Sequence, residues 1–139
     1  MKKLVILCSI LLLLLAGCWT APNTPETIAF DEFDSADWDW QNVEFPLSSE
    51  QFGIPCNVGP ISTREEAAAA GKAILESCQG KHYLMNCSLT RVVHFTQDHI
   101  WMFEYSEELP ADGMTWISGG TFVMVSEDGE LIQAWAEEG

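Results

Sequence analysis

The chain has 139 residues, six Lys and Arg against 21 Asp and Glu, and a formal charge of −15. Such a balance repels phosphate backbones and anionic lipid heads alike, which excludes a nucleic-acid-binding role. The length allows one small domain with an appendage and no more.

At the N-terminus Lys2 and Lys3 precede the apolar run Leu4 to Leu15, and two small residues then lead to Cys18. This is the layout of a secretory signal. The run is well short of the roughly 20 apolar residues that a membrane span needs. The stretch Leu15-Ala16-Gly17-Cys18 resembles the lipobox of bacterial lipoproteins. That resemblance implies removal of residues 1–17, diacylglycerol and palmitate-type chains on Cys18, and a protein held on a membrane facing outside the cytoplasm. An ordinary signal with a chance cysteine is the alternative. Each buried acyl methylene contributes about 0.8 kcal/mol, so two chains anchor firmly where one does not. The mature chain would have 139 − 17 = 122 residues and a formal charge of 4 − 21 = −17, because both signal lysines leave.

Residues 18–57 read as an acidic, aromatic-bearing tether. No Lys or Arg occurs from Trp19 to Thr63, while Glu26, Asp31, Glu32, Asp34, Asp37, Asp39, Glu44 and Glu50 do. Like charges at this density resist compaction, and Pro22 and Pro25 discourage regular structure in the first dozen residues. Phe30, Phe33, Trp38, Trp40, Val43 and Phe45 are interleaved with the acids. A plain spacer has no use for them, so this segment either docks on its own domain or offers a sticky arm to a partner.

Residues 58–139 read as a small α+β domain. Ser62 and Glu65 match a capping box, and Glu65 and Glu66 place negative charge where the helix dipole favours it. Ala67, Ala70, Gly71, Ile74, Leu75 and Cys78 then recur at helical spacing, with Gly80 as a stop. The small residues on this face let the helix approach a sheet closely. Residues 88–96 and 99–107 alternate and are rich in β-branched and aromatic side chains, which predicts a hairpin turning at Gln97-Asp98. Residues 121–138 predict a second hairpin around Asp128-Gly129. The expected fold is one N-terminal helix packed on a four-stranded antiparallel sheet made of two hairpins, preceded by the signal and the tether. Trp101, Phe103, Phe122, Val123, Val125, Ile132 and Trp135 are the expected core. In the second strand His99, Trp101, Phe103 and Tyr105 share one face, and Ile100, Met102 and Glu104 the other. Both faces are largely apolar, and one helix cannot hide both.

Three cysteines remain after lipidation, in a compartment where disulfides persist. Cys78 and Cys87, at a helix end and a strand start, are the preferred pair; a bridge from Cys56 to either stays open. No HExxH, CxxC, GxSxG or phosphate-binding glycine loop occurs. His94 and His99 could meet across their hairpin, with a surface pair favoured over a metal site, and the acidic run lacks the pattern of a calcium loop. The expectation is therefore a chain that is not an enzyme, with no catalytic residues, cofactor or metal.

Residues 61–138 resemble the small immunity proteins of nuclear-transport-factor-2-like fold, through the alanine-rich helix "REEAAAAGKAILE", the strand "HIWMFEY" and the hairpin "GGTFVMVSEDGELIQAW". The same features suit a PepSY-type domain. The first resemblance implies neutralisation of a toxin by binding; the second implies a structural or regulatory cell-envelope lipoprotein. Neither supplies catalytic residues. Trp38 and Trp40 in the arm and Trp116 in the loop Leu109 to Gly120 are the candidate partner-binding residues, with internal packing as their alternative. An acidic arm bearing tryptophans suits a basic protein or peptide partner.

Overall fold

The computed structural model describes residues 27–36, 43, 45–78, 87–107 and 120–137. Their architecture is α+β in kind: a six-stranded mixed sheet with one long helix on one face. In chain order the elements are β1 (Ala29–Phe33), β2 (Phe45–Pro46), the short helix α1 (Ser49–Phe52), α2 (Arg64–Ser77), β3 (Cys87–Phe95), β4 (Ile100–Glu107), β5 (Thr121–Ser126) and β6 (Leu131–Ala136). The spatial order is β1-β3-β4-β5-β6-β2.

The four central strands are the two expected hairpins, and β3–β4, β4–β5 and β5–β6 all pair antiparallel. Two features of the expected fold are corrected. The sheet has six strands rather than four and is not wholly antiparallel, because β1 joins β3 in parallel and β2 joins β6 antiparallel. The long helix is also not the first element, since β1, β2 and α1 precede it. Both additions come from the stretch that reads as a tether. β1 is short and acid-rich, and β2 is a single dipeptide, so neither announces itself by alternation. They are strands because open sheet edges offer their backbones partners.

Helix α2 begins one residue later than its sequence signature suggests. Thr63 is the N-cap, and its hydroxyl accepts a bond from the Glu66 N–H at 3.2 Å. The Glu66 carboxylate accepts from the N–H groups of Thr63 at 3.1 Å and Ser62 at 2.7 Å. The capping box is therefore Thr63 with Glu66 rather than Ser62 with Glu65, and the reciprocal bonds satisfy donors that the first turn cannot. The buried face is Ala67, Ala70, Gly71, Ile74 and Cys78, with Leu75 at its margin. The expected stop at Gly80 lies outside the described residues. The helix is closed at Cys78, whose N–H bonds back to Ile74 and Leu75.

Gly71 sets how close the helix lies to the sheet. A Cβ there would come within 2.8 Å of Leu89 and 2.9 Å of Phe103. At the same point the Tyr105 hydroxyl donates to the Gly71 carbonyl at 2.8 Å, fastening β4 to the helix. Burial, and secondarily the neighbouring Cys78, push the Tyr105 hydroxyl well above its ordinary pKa. It stays a neutral donor.

The sheet has a core on each face. Beneath α2 lie Leu89, Val92, Trp101, Phe103, Tyr105, Val123, Val125 and Ala134, closed from the sides by Phe52, Ile54 and Ile61. On the opposite face Val93, Phe95, Ile100, Met102, Met124 and Trp135 are buried as a second cluster. The alternation expected in β4 is thus observed, with His99 falling in the preceding turn. Of the expected core residues, Phe122 and Ile132 are half-buried and the other five are buried. Among the described residues, Ala36 and Val43 of the arm pack on this second face, and Phe30 packs on the first. The acidic segment is therefore partly folded into its own domain.

Residues 56–61 run beside the β5–β6 hairpin. Leu131 donates to Cys56, Val58 to Gly129 and Ile61 to Glu127, each through backbone bonds of 2.8–2.9 Å. Gly129 has φ 84°, which suits the expected Asp-Gly turn.

Candidate functional site

At one end of the sheet three backbone segments meet: the end of β1, the turn 96–99 and the turn between β5 and β6. Thr96 donates to Phe33 at 3.0 Å and Gln97 to Asp34 at 2.8 Å, while Glu127 donates to His99 at 2.9 Å. The Asp98 carboxylate accepts from the Ala36 N–H at 2.8 Å. His99 has φ 56°, a left-handed conformation that lets the chain turn back into β4.

These bonds bring together side chains that lie far apart in sequence. One Glu127 oxygen bonds His94 Nε2 and the other bonds His99 Nδ1, both at 2.9 Å. The other His94 nitrogen, Nδ1, lies 3.8 Å from the Glu32 carboxylate on β1. Beneath it the His94 ring stacks on Trp101, with centroids 4.0 Å apart and planes 7° from parallel. Trp101 is buried, and among the described residues its Nε1 has no hydrogen-bond partner. Glu127 titrates below its ordinary value, chiefly because His94 hydrogen-bonds its ionised form; burial opposes this, and His99 adds to the lowering.

Along β1 the acidic arm meets much of the positive charge that the domain has. Asp31 pairs with Arg91 of β3, which also lies 3.8 Å from Glu104. Arg64 sits 6.0 Å above the Phe30 ring. Of the described cationic side chains Arg64, Lys72 and Arg91, two therefore contact β1. Phe33 stacks with Phe95 yet remains 47% exposed, and Phe45 at the opposite edge of the sheet is 43% exposed.

Glutamate between two histidines can accept and hold protons, but among the described residues no group of His, Cys, Asp and Glu has the geometry to hold a metal ion. The cluster joins segments and carries charge. A separate open cleft of 330 Å³ lies beside α2, lined by Val58, Pro60, Ile61, Ala69, Ala70 and Ala73 with Glu66 at its edge.

The residues singled out from sequence fare unequally. Cys18, Trp38, Trp40 and Trp116 lie outside the described residues. Cys78 is buried at the end of α2 and Cys87 is half-buried at the start of β3, while Cys56 is exposed near Ser49. His94 and His99 do converge, through Glu127. Sequence reasoning missed that glutamate because "SEDGE" reads as turn chemistry, and it missed the Asp31–Arg91 pair because the arm had no register. The parity of His94 with Trp101 across a two-residue turn was the one available hint.

No protein-family model, curated protein or solved structure matches this chain.

Proposed function

We propose that the protein is a lipid-anchored, extracytoplasmic binding module, tethered through Cys18, that captures a protein or peptide partner of basic character. The observation that carries this reading is the acidic, aromatic segment that begins at β1. It combines Asp31, Glu32 and Asp34 with exposed Phe33, and leads towards Trp38 and Trp40. Charge would steer a basic partner to this edge and aromatic rings would supply the anchors. On the resemblance drawn above, the specific form is an immunity-type inhibitor that occludes a toxin. Binding rather than turnover is the activity proposed, with Trp116 as a second contact.

Two measurements test it. In detergent phase partition the wild-type protein should enter the detergent phase and a Cys18→Ala variant the aqueous phase; equal partition would remove the anchor. A pull-down from native envelopes should recover one saturable partner, weakened by salt and lost with Trp38→Ala/Trp40→Ala or Trp116→Ala while circular dichroism is unchanged. Recovery unaffected by these variants would move the binding surface elsewhere.

A further inference from the structure

The two nitrogens of His94 face two different carboxylates. Nε2 is bonded to Glu127 in the β5–β6 turn at 2.9 Å, and Nδ1 faces Glu32 on β1 at 3.8 Å. A neutral imidazole has one N–H and one bare lone pair, so it can donate to only one of them. The other carboxylate then faces a lone pair. Only the imidazolium keeps its bond to Glu127 and also presents an opposite charge to Glu32 across 3.8 Å, a distance too long for a hydrogen bond. The ring lies flat on the buried Trp101, which fixes its plane.

We infer that His94 is a proton-gated clasp, which in its charged form ties the arm strand β1 to the β5–β6 turn and on losing a proton loosens the arm. The surrounding elements supply few substitutes for that charge. β1 and the residue after it bring Asp31, Glu32 and Asp34; β3 brings Arg91; the turn 96–99 brings Asp98 and His99; β4 brings Glu104; the β5–β6 turn brings Glu127, Asp128 and Glu130; and α2 brings Arg64 at its start. Arg91 is committed to Asp31 and Glu104, and Arg64 to Phe30. His99 bonds the opposite oxygen of Glu127 and is 72% exposed by side chain. Among these cationic or potentially cationic groups, His94 alone is placed between β1 and Glu127. Its proton is therefore what offsets the repulsion between the acidic arm and the acidic turn.

The effect falls on the end of β1 and the segment after it. The Asp31–Arg91 pair, which carries no histidine, joins the middle of the strand to β3 independently of His94. The proton thus adds to, or withdraws from, the bonds by which Thr96, Gln97 and Asp98 hold the end of β1, a form of regulation separate from any partner that the protein binds.

Amide hydrogen exchange on the full mature chain in detergent tests this. The reporters are the N–H groups of Thr96 and Gln97, which donate to Phe33 and Asp34, with buried Val123 as the internal control. Rates are corrected for the intrinsic dependence of exchange on pH. Between about pH 5.5 and about pH 7.5, where histidine side chains change charge, protection of the two reporters should fall about three-fold against the control, the scale of one partly exposed ion pair. The fall should vanish in His94→Gln. It should vanish also in Glu32→Gln, which leaves the stack on Trp101 in place and serves if His94→Gln does not fold. Reporters that do not respond to pH in the wild type, or a response that survives in Glu32→Gln, would overturn the clasp.

Discussion

Replacing Gly71 by alanine sets two physical effects of opposite sign against each other. Judged by helix propensity alone, alanine in place of glycine inside α2 should stabilise the protein by about 1 kcal/mol. The site is buried, however, and the new methyl would stand 2.8 Å from one Leu89 methyl, 3.2 Å from the other and 2.9 Å from the Phe103 ring. The shortest contact falls 3.4 − 2.8 = 0.6 Å below an ordinary one. Leu89 and Phe103 are themselves 3% and 0% exposed, so neither side chain has open space to move into. If the helix lifts instead, it stretches the 2.8 Å bond from Tyr105 to the Gly71 carbonyl. Overpacking of this kind costs about 1–3 kcal/mol, so the net change expected is a destabilisation of about 1 kcal/mol. For a domain of this size that lowers the melting temperature by about 4 °C. Urea and thermal unfolding followed by circular dichroism would measure it. Ala73→Gly on the exposed side of the same helix provides the propensity term by itself. In a Leu89→Ala background the penalty should shrink, because two of the three short contacts disappear. A Gly71→Ala protein more stable than wild type would refute the argument that this glycine sets the helix-to-sheet distance.

Two further outcomes follow from the same geometry. Tyr105→Phe removes the bond to the Gly71 carbonyl and leaves the ring packed, so stability measured in urea should fall by about 1 kcal/mol with the m-value unchanged; no loss would mean that the bond contributes nothing net. Glu127 titrates below its ordinary value because His94 and His99 hold its ionised form, so its contribution is present above the ordinary carboxylate range and disappears as pH falls through the lowered value. The stability gap between wild type and Glu127→Gln should accordingly be open at about pH 6 and close on acidification towards about pH 3. A gap that stays constant over that range would contradict the pairing.

The legible parts of the fold were those that a single strand or helix specifies by itself. Two hairpins stood out because β3 to β6 alternate and because Asp128-Gly129 tolerates a positive φ. Helix α2 stood out because Ala67, Ala70, Gly71 and Ile74 recur on one face, although its cap was read one residue early, at Ser62 instead of Thr63, because the two neighbouring frames both fit Ser/Thr-x-x-Glu. The edge strands were illegible for a different reason. In β1, Asp31 and Glu32 lie between Phe30 and Phe33, and the repulsion they imply is offset by Arg91, which stands 60 positions away in the chain. The apolar second face of the sheet nonetheless showed that something besides one helix had to cover it, and Ala36 and Val43 are part of that cover.

The candidate cluster was half legible. The expected turn at Gln97-Asp98 allowed His94 and His99 to meet, whereas the pairing of His94 with Trp101 came only with the register. Nothing local said that both histidines would share one glutamate.

By itself the sequence determined charge, the lipobox-like tetrapeptide, the period of each central element and the small-residue face of the helix, because these depend on composition and near neighbours. Only the tertiary structure decided that an acidic arm lies as a strand against β3, and that Glu32, His94, Glu127 and His99 form one chain of contacts. Those depend on which distant charges and open edges meet when the sheet closes, and pairing over such distances leaves no period in the sequence to read.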